Sequence, residues 1–244
     1  MTMPLLAFDA VSKRHWRGRR AVTVLNDGSL ELSAGELGAV WGGRGTGKTT
    51  LVELAAGLQA PDAGRILFDG RDVAQLSRRA VSELLHVQVG IATRTGPVSH
   101  TLAARDWVAM PVMDRLAARE ATRRAQLALE RVGAQDVGAE PWRNLSDGER
   151  TLVAIARAMV RAPRLLLVDD PSTGLGLLER GEVVALLRSI AEQAGVAVLM
   201  TASDLTEVSG ADAIWSLAGG RLTGRRAEAG TVVPFPGAAA HGHG

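Results

Sequence analysis

"ELGAVWGGRGTGKTTLVELAAGL", residues 36–58, decides how the rest of the chain is read. Its first six residues form a short apolar strand that runs into glycines, and residues 49–58 carry helical spacing that stops at a glycine. Between them lie Gly42, Gly43, Arg44, Gly45, Thr46, Gly47, Lys48, Thr49 and Thr50. Gly42, Gly47, Lys48 and Thr49 fall on the pattern G-x-x-x-x-G-K-T, in the strand-to-helix context that pattern requires. Glycines let the backbone curl until its N–H groups point inward at phosphate oxygens. The helix start adds unpaired N–H groups and the positive end of its dipole. Lys48 can then reach the β and γ phosphates, and Thr49 offers a hydroxyl to Mg²⁺. Arginine fills nearly every basic position of the chain, the only lysines being Lys13 and Lys48. A compact ammonium suits such a loop better than a planar fork.

A second stretch, "LLLVDDP" (165–171), reads as a buried strand that ends on two adjacent carboxylates. Two such acids repel unless a cation or proton intervenes. Far along the chain from a phosphate loop, they suit a Mg²⁺-bound nucleotide. Asp169 is expected to hold the metal. Asp170 is expected to orient or deprotonate an attacking water.

The first third of the chain looks β-rich, in "LLAFDAV", "AVTVLNDGSLEL" and "GRILFDG". From about residue 97 to 140 it becomes helical and rich in Arg and Ala. The last third alternates: helix "ERTLVAIARAMVR", the acid-tipped strand, helix "LLERGEVVALLRSIAEQAG", strand "VAVLMT". Alternation of that kind predicts an α/β fold with a parallel sheet. Residues 224–244 have no period and read as a loose tail, in which His241 and His243 lack companion ligands.

The 244 residues, 46% hydrophobic and 22% charged, allow one large domain or two small ones. No run approaches the roughly 18 apolar residues of a membrane span, and the N-terminus lacks the apolar region of an export signal. A cytoplasmic chain is expected, and the lack of cysteine excludes disulfides and thiolate metal sites. The net charge is +2. "KRHWRGRR" (13–20) could meet nucleic acid or lipid headgroups, but acids balance the bases elsewhere, so it reads as a solvated turn and no nucleic-acid partner is expected.

"NLSDGERTLVAIARAM" begins at Asn144. Ser146 and Glu149 fit a capping box, and Gly148 beside the cap would leave amides open to an anion. With this segment the chain resembles the nucleotide-binding subunits of ABC transporters over roughly residues 5–223. "LSDGE" (Leu145, Ser146, Asp147, Gly148, Glu149) resembles the family's LSGGQ signature, "LLLVDDP" its Walker B strand, and residues 57–73 its usual continuation after the phosphate loop. The resemblance implies a P-loop NTPase with a RecA-like core, an N-terminal antiparallel β subdomain and an inserted helical subdomain at about 97–148. It implies ATP and Mg²⁺ as cofactors. It also implies a second ATP-binding subunit facing head to tail, and integral membrane subunits driven by closure on ATP at the inner face of the membrane. Ser146 and Gly148 would touch the γ-phosphate held by the other subunit. His15 or Trp16 falls where the family stacks an aromatic ring on adenine, and Trp16 has the better face. Residues 102–112, "LAARDWVAMPV", resemble a segment of the subgroup handling lipoprotein release and macrolide export.

Departures from the family pattern cluster at the chemistry. Asp170 stands where a Glu is usual, shortening the reach by roughly 1.5 Å. Arg94 takes the place of a Mg²⁺-sensing glutamine, Ser203 that of a histidine near the γ-phosphate, Gly176 that of an interfacial aspartate, and Asp147 that of a signature glycine. Groups that bind ATP are spared and groups that split it are weakened, which predicts tight Mg·ATP binding with slow turnover. Two other classes account for less: a DNA-repair ATPase needs a long insertion that the about 100 residues between the loops cannot supply, and a P-loop kinase leaves "LSDGE" unexplained.

Overall fold

The computed structural model describes residues 3–18 and 20–226, so the pair His241 and His243 lies outside the described residues. Six strands build the central sheet: β3 (Leu37–Trp41), β6 (Val89–Ala92), β7 (Leu165–Val168), β8 (Ala197–Ala202), β9 (Ala213–Ala218) and β10 (Arg221–Arg226). Their order is β10-β9-β3-β8-β7-β6. All neighbours pair in parallel except β10, which runs antiparallel to β9.

Apolar runs without alternation are what a sheet covered on both faces needs. Leu165 and Leu167 belong to one core with Val40 and Leu199, whereas Leu166 and Val168 belong to a second core with Ala39, Val198 and Met200. The first core is closed by α1 (Lys48–Ala55) and by a four-stranded antiparallel sheet of β1 (Leu6–Arg17), β2 (Arg20–Leu32), β4 (Ala63–Phe68) and β5 (Arg71–Asp72) in the order β2-β1-β4-β5. The second core is closed by α3 (Ala104–Ala109), α4 (Ala118–Arg131), α5 (Asp147–Met159) and α6 (Leu177–Ala194). Trp107 of α3 meets Trp142 edge to face at 4.6 Å, and the Arg157 guanidinium of α5 stacks over Trp107 at 4.9 Å. The expected fold class is therefore present: a parallel sheet, an antiparallel β layer, and a helical insertion.

Several boundaries differ from expectation. The helix after the phosphate loop ends at Ala55, because Gly57 turns left-handed at φ +71°. The basic stretch lies, as expected, where one strand turns into the next, but the strands reach further into it than a turn would: residues 13–17 end β1 and Arg20 opens β2, and Lys13 is tied down by the Ala60 carbonyl at 2.7 Å and Asp62 at 3.4 Å. Residues 224–226, expected to begin the tail, continue β10. One unforeseen helix, α2 (Arg78–Val87), starts on a Ser77 cap whose hydroxyl accepts the Ala80 N–H at 3.2 Å.

Strand β6 approaches α5 so closely that a Cβ on Gly90 would lie 2.4 Å from the Ala158 carbonyl oxygen. Gly90→Ala is expected to destabilise the chain by about 1–3 kcal/mol, the usual cost of forcing an extra carbon against fixed backbone. Urea unfolding, with a lower midpoint and an unchanged slope, is the check.

Candidate functional site

Parallel register brings the key residues to one edge. Trp41 is level with Ala202, Ala92 with Val168, and Val168 with Met200. The residues that follow each strand thus emerge together at the carboxyl edge of the sheet: Gly42 after β3, Arg94 shortly after β6, Asp169 and Asp170 after β7, Ser203 after β8. Ligands of open α/β sheets bind at this edge.

The glycine loop is shaped as its sequence requires. Gly42 N–H donates to the Ala202 carbonyl at 3.0 Å, and a side chain on Gly42 would meet the Leu217 carbonyl oxygen at 2.6 Å. Gly47 has φ +109°, and a Cβ there would strike Val24 at 2.1 Å, so only glycine can start α1 here. Lys48 is buried. Its Nζ donates to the carbonyls of Gly42 (2.7 Å) and Gly43 (3.1 Å) and to Ser203 Oγ (3.0 Å). Ser203 in turn donates to Asp170 Oδ2 at 3.0 Å. Thr49 Oγ1 donates to Asp169 Oδ2 at 2.8 Å.

Thr201 completes the arrangement, and nothing in a sequence reading marks it. It sits fully buried in β8, where its hydroxyl donates to Asp169 Oδ1 and accepts the Asp170 N–H, both at 2.8 Å. One hydroxyl therefore fixes both acids, including Asp170, whose backbone is held at φ +51°. A non-glycine residue in that region carries strain of order 1 kcal/mol and persists only where its surroundings impose it. Thr201→Val keeps the shape but leaves two polar groups unpaired, so a loss of about 1–3 kcal/mol is expected in urea unfolding.

Gly47, Lys48, Thr49, Asp169 and Asp170 line an open cavity of about 600 Å³ whose walls also include His15, Trp16, Arg44, Gly45 and Thr50. His15 Nε2 lies 3.1 Å from Thr50 Oγ1, which ties its ring into the wall. Trp16 is 72% exposed and free to meet a flat ligand on one face. Gly43 and Thr46 contribute the turn itself, with the Thr46 hydroxyl donating to the Gly43 carbonyl at 2.9 Å.

The signature-like segment lies elsewhere. Leu145 is buried, and α5 starts on the expected capping box: Ser146 Oγ accepts the Glu149 N–H at 3.3 Å, and Glu149 accepts the Ser146 N–H at 2.7 Å. Gly148 is less open than its sequence implies, because a Cβ there would lie 3.0 Å from the Glu179 carboxylate. Residues 145–149 take no part in the walls of the larger cavity; Asp147 instead lines a smaller one, of about 130 Å³, with Arg94, Arg150 and Asp169. Two of the departures meet there. A Cβ on Gly174 would lie 3.0 Å from Asp147 Oδ2 and 3.7 Å from an Arg94 Nη, so the unusual anion and the unusual cation flank one glycine. Gly176, another of the departures, precedes α6 and donates its N–H to Glu179 at 2.8 Å.

With the loop, the acids and the second helix start in place, the chain can be set beside known proteins. Residues 25–173 match the family described as ABC transporter. The chain belongs to that family. It is 34% identical over 220 residues to the lipoprotein-releasing system ATP-binding protein LolD of Chromohalobacter salexigens, covering 90% of this chain and 93% of that protein. It is also 34% identical over 234 residues to a methionine import ATP-binding protein of Rhodococcus jostii, covering 92% of this chain but 65% of the relative. Among solved structures, the ATP-binding cassette MJ0796 in a dimeric, ADP- and phosphate-bound state superposes with TM-score 0.82 at 22% identity, over 91% of this chain and 98% of that one. CbiO1 from Clostridium perfringens, part of a transporter complex, gives 0.80 at 25% identity over 91% and 88%. The chain is an ABC-type ATPase. Among the described residues no helix is long and apolar enough to cross a membrane.

Proposed function

We propose that this ABC subunit binds Mg·ATP in the 600 Å³ cavity and powers a membrane transporter through closure of two subunits on the nucleotide, with slow turnover. The observation that carries the reading is the convergence of Lys48, Ser203 and Asp170 in one hydrogen-bonded chain, beside a second chain of Thr49, Asp169 and Thr201. Lys48 now rests on carbonyls of its own loop, so its charge is held in place and can pass to phosphate without searching. The amides of residues 43–49 face the same space in this reading. Thr49 and Asp169 supply hard oxygen donors of the kind Mg²⁺ takes when it shares ligands with phosphates and water. A Mg²⁺ ion held by Thr49 and Asp169 would supply neutralising charge for the transferring phosphoryl group. Trp16 stacks on the adenine.

Asp170 is the group positioned to orient or accept a proton from attacking water. It is one methylene shorter than the usual glutamate, and one oxygen is already engaged by Ser203. Ser203 donates one hydrogen bond but carries no charge at any working pH. Both features slow hydrolysis while leaving Lys48 and the loop intact. The signature segment of a second subunit, through Ser146 and Gly148, would close the cavity, since this chain's own signature does not reach it. The partner is another ATP-binding subunit, and the pair sits on integral membrane subunits at the inner face of the membrane. Phosphate release by the purified protein, with and without its membrane partner, tests the reading: slow release is expected, and rates in the ordinary transporter range contradict the slow site.

A second reading is favoured by the cluster of Asp147, Arg94 and Gly174. A carboxylate at the signature repels a partner's γ-phosphate, as expected of a hardly catalytic subunit that pairs with an active one. Size measurement with ATP separates the two: the first reading allows a homodimer, the second requires a different partner.

A further inference from the structure

We propose that Arg180 is a positioning residue for ATP hydrolysis, tethering the loop after β7 to the loop after β8 so that Ser203 and Asp170 stay in register. The proposal rests on the ATP-hydrolysing reading above. Arg180 lies in the first turn of α6 and is half-buried. Its Nε donates to the Leu175 carbonyl at 3.0 Å, on the loop that carries Gly174 and Gly176. Its Nη1 donates to Glu207 Oε1 at 3.2 Å and lies 3.5 Å from Asp204 Oδ2. One planar group thus spans two loops, and it spans them next to the chemistry, because Asp204 directly follows Ser203.

The far anchor is unusual. Glu207 is only 6% exposed, in a 3-10 turn at Leu205–Val208, and its Oε2 is buried without a hydrogen-bond partner. Burial pushes its carboxyl up; Arg180 pulls it down, and Asp170 and Asp204 push it up again. A buried, half-satisfied carboxylate is retained at a cost, and here its partners are the cation that also holds Leu175 and the backbone N–H of Ser203 itself. The same turn is pinned by Asp204 Oδ1, which accepts the Thr206 N–H at 3.0 Å. Ser203 therefore leaves a turn whose position Arg180 sets, and a shift of about 1 Å at such a group can cost about a hundredfold in rate.

Lysine cannot reproduce the bridge, because a single ammonium lacks the separated donors of the guanidinium fork. Steady-state ATP hydrolysis and calorimetric Mg·ATP titration of wild type, Arg180→Lys and the double variant Arg180→Ala with Glu207→Gln are the test. In Arg180→Lys, kcat is expected to fall about tenfold or more while KM and the binding constant stay within about twofold. The double variant removes the unpaired buried charge, so it is expected to melt like wild type and still hydrolyse slowly. Wild-type kcat in Arg180→Lys overturns the inference, as does a loss that appears in KM and binding instead of kcat. Wild-type protein that neither binds nor hydrolyses Mg·ATP overturns the reading on which the inference rests, a failure visible before any variant is made.

Discussion

Lys48→Ala is expected to abolish Mg·ATP binding at working concentrations while leaving the fold in place. Lys48 carries the one buried cation in the cavity wall, and it already makes three hydrogen bonds there. Charge-assisted bonds of this type contribute about 1.5–3 kcal/mol each. Two of them moved to phosphate correspond to about 4 kcal/mol, or roughly a thousandfold in affinity. Gly43 is exposed, so water replaces the donor its carbonyl loses, whereas Gly42 is buried and its carbonyl is left unpaired, so a stability loss of about 1–3 kcal/mol should accompany the binding loss. Lys48→Arg is expected to fail almost as badly, because a planar fork is too wide for the space the glycines leave. Equilibrium dialysis against labelled ATP measures both. Binding within tenfold of wild type in Lys48→Ala would place the nucleotide elsewhere.

Asp170→Glu is expected to act in the opposite direction, raising kcat about tenfold or more with no change in Mg·ATP affinity. The backbone of residue 170 is held by Thr201, so the added methylene extends the carboxylate into the cavity by roughly 1.5 Å instead of shifting the loop. That is the scale on which placement decides rate. The left-handed backbone at this position tolerates Asp better than Glu, so a stability loss of up to about 1 kcal/mol should accompany the gain. Phosphate release and thermal melting, run on the same preparations, separate the two effects. An unchanged rate would show that reach is not what limits hydrolysis.

What the sequence made legible is what depends on local geometry. The phosphate loop could be read because strand, glycines, lysine and helix follow one another within 23 residues. Asp169 and Asp170 could be read because an apolar run ends on them. The capping box of α5 is likewise a local pattern, four residues long. Thr201 was hidden because its task arises from sheet register: Val168 pairs with Met200, which sets the next residue of β8 beside Asp169. Alone, it is one more β-branched residue in a buried strand. Arg180 was hidden for a similar reason, since its partner Glu207 lies 27 residues away and the arginine reads as an ordinary helix charge. Strands β9 and β10 did carry a usable signal. Gly219 and Gly220 both have positive φ and close the hairpin, as the dipeptide Gly-Gly between two β-prone runs announces. Residues 224–226 of β10 read as tail only when that turn is overlooked. The meeting of Arg94 and Asp147 at Gly174 was beyond reach, because it joins three separate segments.

Calorimetric titration of intact protein with ATP, in the presence and absence of magnesium, tests the central claim most directly. Saturable heat for one nucleotide per chain is predicted with magnesium, and markedly weaker binding without it. No heat in either condition would contradict a nucleotide seated against Lys48 and Asp169.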